Sequence, residues 1–385
     1  VDQKVKVKIL LAQCIFGNPD VLIMDEPTND LDYNSVEWLV KFIQEFENTI
    51  IVVSHDRFFL DSVCTHISDI DFSKINHFSG NYSFWQASSE LATRQKLQQN
   101  KKAEEKKKEL QEFISRFSAN VAKSKQATAR KKMIEKLNIE EIKPSSRRYP
   151  GIIFEQERKA GDQILDVNSL SFSNENETFF KDVTFNLKRG EKVLILSRNS
   201  RACNYFYECL SGSLKSTSGS YNWGITTSFG YLPLDNSSFF DNKMSLVDWL
   251  RQWTNNDEEK EEIYIRGFLG KMLFSGDEAL KSCDVLSGGE KVRCMLSKIM
   301  MGNPNVLLID EPTNHLDLES ITTFNNSLIN FKGTILMSTN DIAFAKSVSN
   351  RIIEITPKGF IDSYLSFDEY VKDEKIIKQR EELYN

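Results

Sequence analysis

One twelve-residue pattern occurs twice in this chain, and no other feature of the sequence constrains the fold as strongly. The first copy spans residues 21–32 (VLIMDEPTNDLD) and the second spans residues 306–317 (VLLIDEPTNHLD). Each copy begins with a short apolar run, which is typical of a strand that is buried on both faces of a parallel sheet. Two nearly identical copies make coincidence a poor explanation, so we expect two related α/β domains.

Each copy places two adjacent carboxylates directly after its apolar strand. These are Asp25 and Glu26 in the first copy, and Asp310 and Glu311 in the second. Ligands of open α/β sheets bind at the carboxyl ends of the strands. There one carboxylate can hold Mg²⁺, directly or through water, while its neighbour polarises an attacking water. The pattern indicates Walker B chemistry for phosphoryl transfer; the alternative is two buried strands that happen to end in acids.

A further apolar segment, residues 49–53, follows the first copy and is expected to form another buried strand that ends in Ser-His-Asp-Arg. Its histidine, His55, would lie beside Asp25 and Glu26, where it could contact the γ-phosphate of a nucleotide. A lone histidine is more often structural, but this placement favours the functional interpretation. Residues 1–80 contain no glycine-rich phosphate loop. We interpret them as half of a nucleotide-binding domain whose sheet leaves an apolar flank uncovered.

A phosphate-binding loop of the form G-x-x-x-x-G-K-[ST] is expected after the predicted strand at residues 192–196. The chain instead reads SRNSRACN, so side chains such as Ser197 and Asn199 obstruct the approach of a phosphate to the backbone. Cys203 stands where the cationic lysine belongs, and Asn204 replaces the hydroxyl that holds Mg²⁺. This pocket is therefore expected to bind nucleotide weakly or not at all.

A short glycine-containing segment, LSGGE, precedes an amphipathic helix that leads into the second Asp-Glu strand. Small residues at the start of a helix expose backbone N–H groups, and the helix N-terminus carries partial positive charge, so the segment suits a phosphate. A bare Ser-Gly-Gly is often only a turn, but its position one helix before the Asp-Glu pair favours phosphate binding. The candidate residues are Leu286, Ser287, Gly288, Gly289 and Glu290.

Between the two domains, residues 90–143 contain neither Pro nor Gly and are rich in Lys, Glu, Gln and Ala. This composition favours long helices, and a narrow apolar seam suits an antiparallel hairpin with a break near residues 118–120. From Arg94 to Lys132, thirteen basic residues face four acidic ones in a chain of net charge −6. Most charge runs are solvated helix faces, but this concentration favours contact with phosphate backbones. The candidate RNA-binding residues are Lys106, Lys107, Lys108, Arg116, Lys123, Lys125, Arg130, Lys131 and Lys132.

No apolar run approaches the roughly 18–20 residues that a membrane span requires, and no secretory signal opens the sequence. The six cysteines are scattered, which favours reduced thiols in the cytoplasm. We therefore expect a cytoplasmic protein without a membrane partner. Because the chain begins with Val1 rather than Met, we also expect that an N-terminal part of the first domain lies upstream.

The order of these motifs resembles that of the ABC ATPases, and in particular the ABC-F family, whose members carry two cassettes in one chain. The likeness covers essentially the whole chain, and the segments RFSAN at residues 116–120 and KSKQAT at residues 123–128 are most similar to the YbiT-type subgroup. The resemblance implies two P-loop ABC-type nucleotide-binding domains, the first incomplete, joined by a long α-helical hairpin. It implies ATP and Mg²⁺ as cofactors, and the ribosome, through ribosomal RNA and P-site tRNA, as the partner of the linker.

On this basis the chain divides into five parts. They are the C-terminal part of the first cassette (1–84), the basic hairpin linker (85–145), a polar connector (146–162), the second cassette (163–370) and a charged tail (371–385). The resemblance further implies a monomer whose two cassettes pair within the chain.

In the ABC ATPases each ATP lies between the Walker motifs of one cassette and the signature loop of the other. The resemblance therefore assigns one working site: Glu26 activates water, Asp25 holds Mg²⁺, His55 contacts the γ-phosphate, residues 286–290 close over it and Asp317 reaches across. The other site is degenerate. Its residues are Ser197, Asn199, Cys203 and Asn204, Leu234 in place of a glutamine, Asp310 and Glu311, and Asn340 in place of the switch histidine.

Other functions remain open from the sequence. The protein could be a pseudo-ATPase that binds RNA or the ribosome without useful hydrolysis, since no intact phosphate loop is present. It could also be a DNA-associated relative of the same family. A transporter subunit fits less well, because the basic linker has no evident role there and both cassettes share one chain.

Overall fold

A computed structural model describes residues 3–385 except for residues 18, 30, 32, 72–73, 118–132, 134–147, 175–176, 255 and 314. The chain separates into two units. One unit contains residues 1–59 and 148–385, and the other contains residues 60–147.

The described residues up to position 117 alternate between helices and strands. In order these are α1 (Gln3–Ile15), β1 (Val21–Asp25), α2 (Tyr33–Glu45), β2 (Thr49–Val53), α3 (Arg57–Val63), β3 (His66–Asp71), β4 (Lys74–Ser79) and α4 (Tyr82–Phe117). Strands β1 and β2 are parallel neighbours, with Asp25 opposite Val53. The sequence therefore predicts the first Asp-Glu strand and the strand before His55 correctly.

Strand β1 is buried on one face only. Leu22 and Met24 are buried, whereas Ile23 is 72% exposed. Strand β2 likewise exposes Ile51 and Val53. Because successive side chains of a strand point to opposite faces, the described residues cover one face of this pair and leave the other open. The prediction of burial on both faces is thus wrong for β1 and β2, while the predicted uncovered apolar flank is confirmed.

The second half of the larger unit has a regular α/β order. Its elements are β5 (Gln163–Asn174), β6 (Glu177–Lys188), β7 (Lys192–Leu196), α5 (Ser200–Ser211), β8 (Ser218–Trp223), β9 (Phe229–Leu232), α6 (Leu246–Arg251), α7 (Glu262–Lys271), α8 (Gly288–Met301), β10 (Val306–Asp310), α9 (Leu318–Asn330), β11 (Thr334–Ser338), α10 (Ile342–Val348), β12 (Arg351–Thr356), β13 (Gly359–Ser363), α11 (Phe367–Lys372) and α12 (Glu374–Tyr384). Short 3-10 helices lie at Ser237–Phe240, Gly276–Leu280 and Cys283–Val285.

The main sheet has six strands in the order β13-β12-β7-β11-β10-β9. Strands β7, β9, β10, β11 and β12 are parallel, and β13 adds an antiparallel edge. An antiparallel sheet of order β6-β5-β8 completes this half. Every residue of β10 is buried, so the predicted burial on both faces is confirmed for the second copy of the repeat. The expected mixed α/β fold is confirmed.

The two copies of the repeat share one strand register. In the first, Val21 pairs with Thr49 and Asp25 with Val53. In the second, Val306 pairs with Thr334 and Asp310 with Ser338. The first Asp-Glu strand therefore lies beside the strand that precedes His55, and the second lies beside the strand that precedes Asn340.

The smaller unit contains the antiparallel hairpin β3–β4 and the 36-residue helix α4. The Asp61 carboxylate accepts a hydrogen bond from the Ser83 N–H at 2.7 Å, close to the start of α4. The first long helix of the predicted linker is confirmed, whereas the predicted break and second helix lie outside the described residues. Among the described helices, none is both long enough and apolar enough to span a bilayer.

The connector before β5 is less polar in its contacts than its composition suggests. Ile152, Phe154 and Ala160 are buried. The ring of Phe154 packs edge-on against Phe324 and Phe331, with centroids 5.9 and 6.1 Å away. A few apolar side chains therefore fix this segment against α9 and the residue that follows it.

Candidate functional site

The side chains of Glu26 and His55 meet at the carboxyl ends of β1 and β2. The Glu26 carboxylate contacts the imidazole Nδ1 of His55 and also accepts the His55 backbone N–H at 3.2 Å. The Glu26 N–H donates to the carbonyl of Val53 at 2.8 Å, which ties the residue to the end of β2. The folded chain therefore joins the predicted water-activating acid to the predicted γ-phosphate contact.

Both acids that follow the repeated strands adopt an unusual backbone conformation. Glu26 has a φ of 47° and Glu311 a φ of 46°, in the left-handed region that residues other than glycine seldom enter. Such conformations concentrate at sites where surrounding structure compensates for the strain. Here the turn directs each carboxylate back to the end of the neighbouring strand.

The charge state of His55 is set by its acidic surroundings. The hydrogen bond to Glu26 raises the pKa of His55, and the negative charges of Glu26, Asp317 and Glu319 act in the same direction against partial burial. A charged imidazole suits contact with a phosphate. Asp317 thus acts on the first site from the second half of the chain, while its own side chain caps α9 by accepting the Ser320 N–H at 2.8 Å.

Asp25 ends β1 with its side chain exposed. No group of three or more His, Cys, Asp or Glu side chains in the described part of the chain is placed to hold a metal by itself. Mg²⁺ in phosphoryl-transfer sites is usually held by one or two carboxylates together with substrate phosphates and water. A single accessible carboxylate beside the predicted water-activating acid fits that mode of binding.

Asp310 differs from Asp25 in burial and in hydrogen bonding. It is 1% exposed, and its Oδ1 accepts the Ser338 hydroxyl at 2.5 Å. Its Oδ2 is buried with no hydrogen-bond partner among the described residues. Burial raises the pKa of Asp310 to about 7. A buried carboxyl that retains its proton near neutral pH is a poor ligand for a metal ion.

In the loop between β7 and α5 and the first turn of α5, three backbone N–H groups donate to nearby residues of the same segment. The Asn199 side chain caps α5 by accepting the Arg201 N–H at 3.1 Å, and its carbonyl accepts the Ala202 N–H at 2.9 Å. The Asn199 N–H in turn donates to the Ser197 hydroxyl at 3.3 Å. In a phosphate-binding loop these are the groups that point at the ligand.

The remaining residues of the predicted degenerate site supply neither a cation nor a free hydroxyl. Cys203 is buried, and the Asn204 amide donates to Glu208 at 3.2 Å. The backbone N–H of Asn340 donates to Glu311 at 2.9 Å, as that of His55 does to Glu26. The second copy therefore has the same backbone hydrogen bond to its glutamate as the first, but Asn340 has no imidazole ring. Leu234, after β9, offers only an apolar side chain.

The predicted signature segment forms the start of α8. Ser287 caps the helix, and the Glu290 carboxylate accepts the Ser287 N–H at 2.9 Å. Gly288 and Gly289 approach His315 so closely that a Cβ on Gly289 would lie 2.5 Å from the His315 carbonyl oxygen. Among the described residues, no hydrogen bond joins this segment to Glu26 or His55, so closure over that pair stays a prediction. Leu286, the residue before the cap, is buried.

Both halves of the repeat line one small pocket of about 60 Å³. Its lining residues are Glu26, Thr28, Asn29, His55 and Asp56 from the first half, and Thr313, Ile321, Asn340 and Asp341 from the second. Burial raises the pKa of Asp56 to about 6 and also raises that of Asp341, and the charge of Asp341 adds to the effect on Asp56. No sequence pattern singled out this pair, although an aspartate follows both position 55 and position 340.

The basic candidates on the linker are only partly described. Lys106 and Lys108 are exposed on α4, and Lys107 is half-buried. Arg116 lies in the last turn of the same helix. The remaining candidates, Lys123, Lys125, Arg130, Lys131 and Lys132, lie outside the described residues.

Two family models, both described as ABC transporter, match residues 68–154 and 180–314. The α/β fold, the duplicated Asp-Glu strands and these matches define an ABC-type ATP-binding protein.

The ABC transporter ATP-binding protein YkpA of Bacillus subtilis is 52% identical over 380 residues, which is 98% of this chain and 70% of YkpA. The ATP-binding protein YbiT of Escherichia coli O157:H7 is 39% identical over 371 residues, with 96% and 70% covered. ABC transporter F family member 5 of Arabidopsis thaliana is 29% identical over 390 residues, with 98% and 54% covered. The chain belongs to the ABC-F family of ATP-binding proteins.

Proposed function

We propose that this protein hydrolyses ATP at a single working site built on Asp25, Glu26 and His55. The contact between Glu26 and His55 carries the proposal, because its counterpart in the second half pairs Glu311 with Asn340. Only the first pair combines an acid with a ring that can carry a positive charge.

The roles follow from the chemistry of each side chain. Glu26 accepts a hydrogen bond from the attacking water and takes up its proton. His55, whose pKa is raised by Glu26, donates to the γ-phosphate. Asp25 would hold Mg²⁺, which neutralises phosphate charge when it is bound. Ser287, Gly288 and Gly289, with Asp317, would complete the site from the second cassette.

The second site is proposed to be structural. The buried, partly protonated Asp310 and the internal hydrogen bonds of the loop at 197–204 leave little that could bind Mg²⁺ or a phosphate. ATP would therefore bind productively at only one of the two sites.

We further propose that closure of the cassettes around ATP moves the basic linker against ribosomal RNA and P-site tRNA in the cytoplasm. Helix α4 has 36 residues and is therefore about 54 Å long at about 1.5 Å per residue, which suits a lever. Its exposed lysines supply the charge that phosphate backbones attract. The protein would act as a monomer, divided into the five parts that the sequence suggests.

A reciprocal exchange of the two switch residues tests the assignment in the full protein. His55→Asn should lower the ATPase kcat by roughly 10²-fold or more, as expected for loss of a group that contacts the transition state. Asn340→His should change kcat less than about twofold, because the second site still lacks its lysine. Equal losses in the two variants would contradict a single working site. No turnover in the wild type would favour a ribosome-binding module without hydrolysis.

A further inference from the structure

We propose that the C-terminal helix α12 acts as a built-in ligand of the degenerate nucleotide site. Its Tyr384 hydroxyl holds the loop at 197–204 in the ordered form that a bound phosphate would otherwise maintain. The proposal rests on the proposed function only in treating that loop as a former nucleotide site.

Tyr384 contacts the loop in two ways. Its hydroxyl oxygen accepts the backbone N–H of Arg198 at 2.9 Å, and the Arg198 guanidinium lies over the tyrosine ring, 4.4 Å from its centroid. The same hydroxyl donates to the Ile355 carbonyl at 3.3 Å. One side chain thus joins the loop after β7 to strand β12 and supplies the loop with a hydrogen-bond acceptor from the C-terminal helix.

The helix that carries Tyr384 is fixed by a buried charge network. Glu354 on β12 is buried, and it accepts hydrogen bonds from Arg380 at 2.8 Å and from the Tyr370 hydroxyl at 2.7 Å. Asp373 caps α12 by accepting the N–H groups of Lys375 and Ile376. Because breaking a buried ion pair leaves an uncompensated charge, α12 has one strongly preferred position on the sheet.

With Tyr384 included, four backbone N–H groups of the loop have protein acceptors. They are those of Arg198, Asn199, Arg201 and Ala202, which donate to Tyr384, Ser197, the Asn199 side chain and the Asn199 carbonyl respectively. A phosphate that bound the N–H groups of Arg198 and Arg201 would have to displace both Tyr384 and the Asn199 side chain. These four bonds hold the loop in one arrangement without any contribution from a nucleotide.

Hydrogen exchange of the full chain tests this directly. Tyr384→Phe keeps the ring over Arg198 but loses the hydroxyl, and should speed exchange of amides 197–202 roughly three- to tenfold, as for one lost hydrogen bond. Tyr384→Ala should speed it further. Tyr364→Phe is the matched control, because its hydroxyl donates to Glu191 at 3.1 Å on another part of the fold.

Alkylation of Cys203 gives a second readout. Cys203 lies in the first turn of α5, directly after the loop, and is 6% exposed, while Cys283 is fully buried elsewhere. Tyr384→Ala should raise the rate of alkylation at Cys203 relative to that at Cys283, as measured by peptide mass spectrometry. The proposal would be overturned if amide exchange at 197–202 were unchanged in Tyr384→Ala while the amides of β10 remained protected from exchange. It would also be overturned if added ATP strongly slowed amide exchange in the wild-type loop. Neither the exchange rates nor the alkylation rates depend on ATP turnover. Both measurements therefore remain valid even if Glu26 proves not to be catalytic.

Discussion

Val53 and Ser338 stand at equivalent positions opposite Asp25 and Asp310, and they give the two aspartates different chemistry. Ser338 donates a hydrogen bond to Asp310 inside a fully buried strand pair. Val53 offers no donor, so the exposed Asp25 carboxylate keeps its oxygens for a ligand. The two aspartates therefore differ first in burial, which depends on what covers each strand, and then in the serine hydroxyl that is bonded to Asp310.

Asp310 should make stability depend on pH. Burial raises its pKa from 3.8 to about 7, so the folded state binds a proton more tightly than the unfolded state does. Stability from this group is greatest below about pH 4 and falls as pH rises towards 7, by up to about 1.4 kcal/mol per pKa unit. Asp310→Asn should remove this fall, so the melting temperatures at pH 5 and pH 8 should differ less than in the wild type. An unaltered difference would show that Asp310 is not buried in this way.

At the scale of elements, the start of α8 depends on the absence of side chains. A Cβ at position 289 would lie 2.5 Å from the backbone oxygen of His315, whereas one at position 288 would meet the His315 ring at 3.0 Å. A ring can move aside more easily than a backbone carbonyl can. The two glycines are therefore unequal, although they are adjacent.

Gly289→Ala should displace the signature segment from its place at the start of α8. We expect ATP turnover in the full protein to fall roughly tenfold or more, because small displacements of positioning groups cost about that much or more. Gly288→Ala should have a smaller effect. The measurement is ATPase activity alongside the melting temperature. Equal activity of Gly289→Ala and wild type would show that the segment does not close over ATP.

The elements that the sequence predicts well are those with strong local patterns. Strands β2 and β7 have the predicted bounds of residues 49–53 and 192–196. The carboxylates and His55 were also placed correctly, because strand ends in a parallel sheet share one edge. A repeated motif makes such inferences safe.

What the sequence could not supply depends on contacts between distant segments. Ile23 looks like a core residue in isolation, yet its exposure depends on what else covers β1. The sequence identifies the tail at residues 371–385 only by its charge, whereas in the fold the Tyr384 hydroxyl accepts the Arg198 N–H, 186 positions away. The acid pair Asp56 and Asp341 becomes visible only once both halves line one pocket.

At the scale of the whole molecule, the charge on α4 should govern the proposed binding to the ribosome. Lys106→Glu, Lys107→Glu and Lys108→Glu together should weaken co-sedimentation with ribosomes by roughly tenfold or more and flatten its dependence on salt, because each contacted phosphate releases counterions. Lys215→Glu, Lys243→Glu and Lys358→Glu change the net charge equally at exposed positions elsewhere. Equal weakening by both triple variants would show that binding follows net charge and not the linker.

The measurement that tests the central claim most directly is the ATPase rate of Glu26→Gln beside that of Glu311→Gln in the full protein. These residues share the same backbone conformation and the same position after a repeated strand. Glu26→Gln should lower kcat roughly 10²- to 10⁴-fold, as for loss of a general base, while Glu311→Gln should stay within about twofold of the wild type. Equal kcat values in the two variants, or a larger loss of kcat in Glu311→Gln, would contradict an ATPase with a single working site built on Glu26.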